Sequence, residues 1–273
     1  EGIIDEYTYE VVVNAYNQDS SYTASSNLLL FTPNLPKKPD YNYIEYASVN
    51  HNNSFVDINC LVDNQAVINH YDILRSVTGN NSFNKIGEIS FNGSSSIYYT
   101  DQTAITAESS YTYKIYPVDT CGIRLSAPPH NSNIFINDTS FAQTILLKTV
   151  ANLDYSNINY NNIPPYTSQA SLDREYTNTL TYNEYNKWLG SVSEYRLYRS
   201  VDGGYSYNSL PLYIWDRINN PDEPLEYIDV VTDFGKDNGR LCYYIHAIEG
   251  NDSPYGAVSE GSYSNISCIS QTP

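Results

Sequence analysis

Three blocks of this sequence occur twice in the same order, which limits the chain to an architecture built from copies of one unit. His70-Tyr71-Asp72-Ile73-Leu74-Arg75-Ser76-Val77 matches Glu194-Tyr195-Arg196-Leu197-Tyr198-Arg199-Ser200-Val201. Downstream, Tyr99-Thr100-Asp101 matches Tyr227-Ile228-Asp229. Then Tyr111-Thr112-Tyr113-Lys114-Ile115-Tyr116 matches Cys242-Tyr243-Tyr244-Ile245-His246-Ala247. A partial copy stands at the start: Tyr7 to Ala15, followed by Ser25-Ser26-Asn27, resembles the tail of each full unit. The last unit closes in the same way on Ser262-Tyr263-Ser264-Asn265.

Inside each block apolar and polar residues alternate, the signature of a half-buried strand. Tyr7, Tyr9, Val11 and Val13 do so, as do Val56, Ile58 and Cys60, and Tyr111, Tyr113 and Ile115. Turn clusters such as Asn92-Gly93-Ser94 and Asp202-Gly203-Gly204 separate them. One weak helical stretch runs from Leu212 to Asn219. The pattern predicts an all-β protein of tandem immunoglobulin- or fibronectin type III-like sandwiches, each of about seven short strands. Residues 1–34 read as the C-terminal strands of a truncated sandwich, 35–140 as a full one, and 141–273 as another with an insertion loop near 152–176. Pro33, Pro36 and Pro39 mark an extended linker at the first boundary.

Composition agrees. Tyrosine occurs 29 times, and such residues suit a pleated surface whose rings pack while their hydroxyls stay wet. The net charge of −17 opposes binding to nucleic acid or an anionic membrane. No apolar run reaches the ~18 residues of a membrane span. The chain opens at Glu1 and contains no methionine, so it reads as a piece of something longer.

No catalytic constellation emerges. There is no G-x-S-x-G elbow or phosphate-binding glycine loop, and His51, His70, His130 and His246 are scattered. Asp222 with Glu223, and Asp233 with Asp237, are the nearest carboxylate pairs, but both lie in turn-rich loops where acids are ordinarily solvated. Asp233, Asp237 and Asn238 offer oxygen ligands in a tight loop that could hold calcium, against the plain alternative of a hairpin turn. No other cofactor is indicated. Tyr98, Tyr99, Tyr155, Tyr160, Tyr166 and Tyr205 would be stacking platforms for glycans or partner proteins, or else ordinary strand packing. The even number of cysteines, none in a C-x-x-C arrangement, fits an oxidising compartment; four buried thiols are the alternative.

Ser191-Val192-Ser193-Glu194-Tyr195-Arg196-Leu197-Tyr198-Arg199-Ser200-Val201-Asp202-Gly203-Gly204 resembles a phrase of large surface proteins of gliding bacteria. The aromatic Leu180 to Tyr185 strand with Trp188, the Asp119-Thr120-Cys121-Gly122 turn, and Tyr43 to Val49 are similar to the same family. Ser264 to Pro273 looks like the segment before a gliding-motility-associated C-terminal domain. The resemblance implies fibronectin-like repeats exported by the type IX secretion machinery through a C-terminal domain absent from this chain. It implies a secreted, cell-surface location and a noncatalytic stalk or adhesive role, with neighbouring repeats, glycans or surface proteins as partners. The rival reading is an accessory or glycan-binding spacer of a large secreted hydrolase. In a fibronectin-like sheet Cys242 and Cys268 lie on neighbouring strands and are expected to bond. Cys60 and Cys121, on facing strands, are the second expected pair.

Overall fold

The computed structural model describes residues 7–33, 36–125, 140–154, 175–186, 188–231, 239–253 and 261–270. Those residues are all-β, and among them no helix is long and apolar enough to cross a membrane. The chain divides into two compact units, Glu1–Lys38 and Pro39–Pro273.

The first unit is an antiparallel hairpin in two steps. Strand β1 (Tyr9–Val11) pairs with β4 (Leu29–Phe31), and β2 (Asn14–Tyr16) with β3 (Thr23–Ser25). Its tip is closed by Asn17, whose side-chain oxygen accepts the Tyr22 amide at 2.9 Å.

The second unit holds two sandwiches in succession. In the first, β5 (Asn42–Val49), β6 (Val56–Val62) and β9 (Ser96–Asp101) form one sheet. Its other sheet has the order β11 (Phe141–Gln143), β10 (Tyr111–Val118), β7 (His70–Val77), β8 (Asn84–Ser90). In the second sandwich β12 (Leu147–Asp154), β13 (Glu175–Tyr182) and β16 (Glu226–Val230) face a larger sheet. That sheet runs β15 (Tyr213–Asp216), β14 (Val192–Ser200), β17 (Arg240–Glu249), with β18 (Ser262–Tyr263) and β19 (Ser267–Ser270) both on β17. The fourth strand of each copy lies beside the third strand rather than on the three-stranded sheet. Tandem sandwiches of this strand order are fibronectin type III-like, as the sequence predicts.

Alternation fixes which residues meet. From β6, Val56, Ile58, Cys60 and Val62 point inward against Tyr71, Ile73, Tyr113 and Ile115. In the second sandwich Leu180 and Tyr182 face Tyr195, Leu197, Tyr243 and Ile245, and Trp215 fills the end of the core.

The boundaries shift from those read in the sequence. Phe141–Gln143, placed there at the head of the last unit, pairs with β10 and completes the first sandwich. The predicted helical stretch from Leu212 is instead strand β15 followed by a turn that Asp216 closes by accepting the Ile218 and Asn219 amides. Most of the expected insertion near 152–176 lies outside the described residues.

The three repeated blocks converge in space. Arg75 on β7 donates to Asp101 on β9 at 2.6 Å, and the Tyr113 hydroxyl on β10 donates to the same carboxylate oxygen at 2.9 Å. In the second sandwich Arg199 donates to both Asp229 oxygens at 2.9 and 3.0 Å, and Tyr243 donates to Asp229 at 2.7 Å. Each triad ties one sheet to the other through a carboxylate that is almost fully buried. The repeat therefore encodes an internal brace. It also corrects the third match, because Tyr113 corresponds to Tyr243 and not to Tyr244. That one-residue slip exchanges core and outer face.

Burial alone would raise the Asp101 carboxyl, but bonds from Thr103, Arg75 and Tyr113 hold it below its ordinary 3.8. Asp72 is likewise held low against its burial by Lys85 and Arg124. Both groups are depressed in the folded state, so their stabilisation is complete above the unfolded value near pH ~4 and declines as pH falls through the folded values. The melting temperature should be steady from neutrality to about pH 5 and fall below about pH 4. Asp101→Asn should melt lower at neutral pH and show a shallower acid slope in the same thermal scans.

Candidate functional site

The two sandwiches share a buried junction built on β5. A bulge between Ile44 and Tyr46 interrupts its pairing with β6, and its outer edge would be an open template for another strand. The second sandwich closes that edge. The Trp188 indole donates to the Glu45 carbonyl at 2.6 Å, the Ala47 amide donates to the Tyr185 hydroxyl at 3.1 Å, and the Ser262 hydroxyl donates to the Ala47 carbonyl at 2.9 Å. The Leu189 amide reaches back to the Tyr43 hydroxyl at 3.1 Å. The Tyr185 and Trp188 rings meet in a tilted contact at 4.2 Å and are both buried.

The connection between the sandwiches, Thr144 to Leu146, contains no proline and is pinned by the Asn183 side chain, which accepts the Leu146 amide and donates to the Thr144 carbonyl. Asn265 holds both backbone groups of Leu147, at 2.8 and 3.1 Å. The last strand is split into β18 and β19 around this contact. Unlike the extended proline linker expected at the first boundary, this joint is a packed interface.

Beside the junction lies an aromatic strip on the outer face of the β14–β17–β18 sheet. Tyr198 and Tyr244 are direct cross-strand partners and stack at 4.8 Å. Tyr207 meets Tyr244 at 4.7 Å, and Tyr263 stacks on His246 at 4.2 Å. His51, from the first sandwich, bridges Tyr244 and Tyr263 at 4.7 and 5.3 Å and donates through Nε2 to the Ser264 carbonyl at 2.9 Å. Burial holds the His51 imidazole below its ordinary value, although the bond to Ser264 pulls the other way. The strip ends at a cavity of about 260 Å³ between the sandwiches, lined by Tyr46, Ser48, Asn50, His51, Asp57 and Tyr263 among others. Alternation places these rings outward, but in a chain with 29 tyrosines nothing in the sequence distinguishes them from the buried ones.

Among the described residues, the tyrosines named from the sequence as platforms do not gather. Tyr99 turns its hydroxyl to the Ile86 carbonyl, Tyr98 and Tyr205 are exposed and apart from the strip, and Tyr155, Tyr160 and Tyr166 lie outside the described residues. The calcium candidates Asp233, Asp237 and Asn238 also lie outside them. Of the carboxylate pairs, Glu223 accepts the Tyr213 hydroxyl at 2.5 Å while Asp222 stands exposed. His70, Asp72 and Glu88 come together with metal-ligand spacing. Lys85, at 2.6 Å, and Arg124, at 2.7 Å, already take the two oxygens of Asp72, so the group reads as an ion network.

The Cys242–Cys268 disulfide is formed between directly paired residues of β17 and β19. The expected Cys60–Cys121 bond is not. Cys60 is sealed in the core, where burial pushes its thiol far up. Cys121 is exposed in a turn beyond the end of β10, where Asp119 accepts its amide at 2.9 Å. Reducing the bond, which closes a loop with a sequence separation of 26, should cost about 3 kcal/mol of stability in urea titrations with and without reductant.

No protein-family model matches the chain, and no curated protein does. Among solved structures it is similar to the crystal structure of chicken CNTN1 FN1–FN3 domains, at 9% identity over 97% of this chain and 78% of that one, with a TM-score of 0.24. A likeness at that score carries no weight in the argument, and the fibronectin type III-like assignment rests on the strand order itself.

Proposed function

We propose that this chain is a noncatalytic, extracellular repeat region that acts as a rigid element and presents an adhesive face. The observation that carries this reading is the junction, where the second sandwich closes the open edge of β5 with tryptophan, tyrosine and serine side chains. An interface with buried aromatics and satisfied polar groups resists bending, whereas domains of a chain joined by small polar contacts move freely. The disulfide supports an oxidising compartment. Fold alone does not decide function.

In the finer form of the proposal the parent is a surface protein of a gliding bacterium, exported by the type IX machinery through a further domain. This region then connects neighbouring repeats and contacts glycans or surface proteins. The aromatic strip favours one further reading, an accessory glycan-binding region of a secreted hydrolase.

The test is made on cells producing the parent protein. A membrane-impermeant biotin reagent should label the region on intact cells. Deleting residues 39–273 in frame should abolish attachment or gliding while export continues. Labelling only after lysis, or unchanged attachment and gliding, would overturn the proposal. Loss of polysaccharide hydrolysis in place of attachment would select the hydrolase reading.

A further inference from the structure

We infer that the cavity at the junction binds one ring of a neutral saccharide whose remaining units lie along the aromatic strip. The inference deepens the adhesive reading by naming the ligand class, and it can fail while the rigid-element reading stands.

Size sets the first limit. At about 260 Å³ the cavity falls below the ~300–1,000 Å³ of pockets for drug-sized ligands, and suits a single small ring. The chemistry of its lining sets the second. Tyr46 and Tyr263 supply aromatic surface for the C–H face of a sugar, since ring faces carry the negative side of the aromatic quadrupole. The polar groups can both accept and donate: the hydroxyl residues Tyr46, Ser48 and Tyr263 line the cavity with Asp57, Asn50 and His51. The Asp57 carboxylate accepts from Asn50 at 2.9 Å and Thr100 at 2.9 Å with lone pairs to spare, while the Asn50 side-chain oxygen is taken by the Asn52 amide at 3.0 Å. His51 uses Nε2–H on the Ser264 carbonyl, so its Nδ1 carries a lone pair. A lining that both accepts and donates matches hydroxyl groups, which do both.

Charge sets the third limit. Among the described residues no lysine or arginine lines the cavity, and Arg196, the cross-strand partner of His246, is paired with Glu194. In a chain of net charge −17, an acidic sugar or a phosphate would meet uncompensated repulsion at Asp57. The strip supplies the last argument. From the cavity, Tyr263, His246, Tyr244 and Tyr198 lie on one partly exposed sheet face, and Tyr207 from the loop after β14 joins them at Tyr244, with contacting ring centroids 4.2 to 6.0 Å apart. Such a cluster places aromatic surface beside the cavity for the remaining units of a saccharide.

The experiment titrates the full chain by NMR and calorimetry with cellohexaose, laminarihexaose and mannohexaose, using hexagalacturonate as the acidic comparison. At least one neutral hexamer should bind. Tyr263→Ala and Tyr46→Ala should each weaken it about tenfold or more. Tyr205→Ala, at an exposed tyrosine off the strip, should bind like the wild type. Asp57→Asn, which keeps the shape but removes the charge, guards against variants that lose their fold and should also weaken binding. Absence of binding by all three neutral hexamers would overturn the inference. So would equal binding of hexagalacturonate, or wild-type affinity in Tyr263→Ala, Tyr46→Ala and Asp57→Asn.

Discussion

Asp229→Ala is expected to remove about 3–5 kcal/mol of stability from the second sandwich. The carboxylate is 3% exposed and receives Arg199 twice and Tyr243 once, while Tyr243 in turn receives Asn178 at 2.8 Å. Removing it leaves a guanidinium buried between the sheets with no counter-charge, and such a group is far more costly than the lost bonds alone. Urea unfolding followed by Trp215, buried in the same core, reads the change directly. Asp101→Ala should behave alike in the first sandwich, where Arg75 and Tyr113 converge on it. Replacing Arg199 and Asp229 together by methionine and leucine should recover much of the loss, because the buried charges then vanish as a pair. A loss below about 1 kcal/mol in Asp229→Ala would mean that the brace is ornamental.

Trp188→Ala is the second large effect, at about 3–5 kcal/mol, the range for deleting a buried aromatic side chain. Its indole is 8% exposed, lies against Tyr185, and donates to the bulged Glu45 carbonyl. The consequence differs from that at Asp229. The lost contacts lie between sandwiches rather than within one, so unfolding should separate into two steps, with Trp215 reporting only the second sandwich. Trp188→Phe keeps part of the ring contact with Tyr185 and should cost less. If calorimetry of Trp188→Ala still shows the wild-type transition at the wild-type temperature, the junction does not couple the sandwiches.

Much of the fold was legible because strand alternation and turn chemistry are local. The repeated Arg-Ser-Val and Tyr-x-Asp blocks contain Arg75, Arg199, Asp101 and Asp229, although nothing in those blocks signals that they touch. The third block slipped by one residue because Tyr243 and Tyr244 are adjacent and chemically identical. Only the register Arg199↔Tyr243 shows which of them faces the core. Cys242 and Cys268 could be paired from strand neighbourhood alone. Cys60 and Cys121 could not, since their bonding depends on where β10 ends, and the turn at Asp119 carries Cys121 away from the core. The junction was invisible for a related reason: alternation shows that β5 has an inward face and says nothing of what covers its edge. The strip was hidden by the abundance of tyrosine.

The account stands on the claim that the two sandwiches of residues 39–273 are fixed to each other. Spin labels at Val67→Cys and Tyr205→Cys, exposed sites one on each sandwich, test it in a Cys121→Ser background by pulsed dipolar spectroscopy. A single narrow distance distribution is predicted, broadening when Tyr185 and Trp188 are both changed to alanine. A broad distribution in the otherwise unaltered chain would contradict the account.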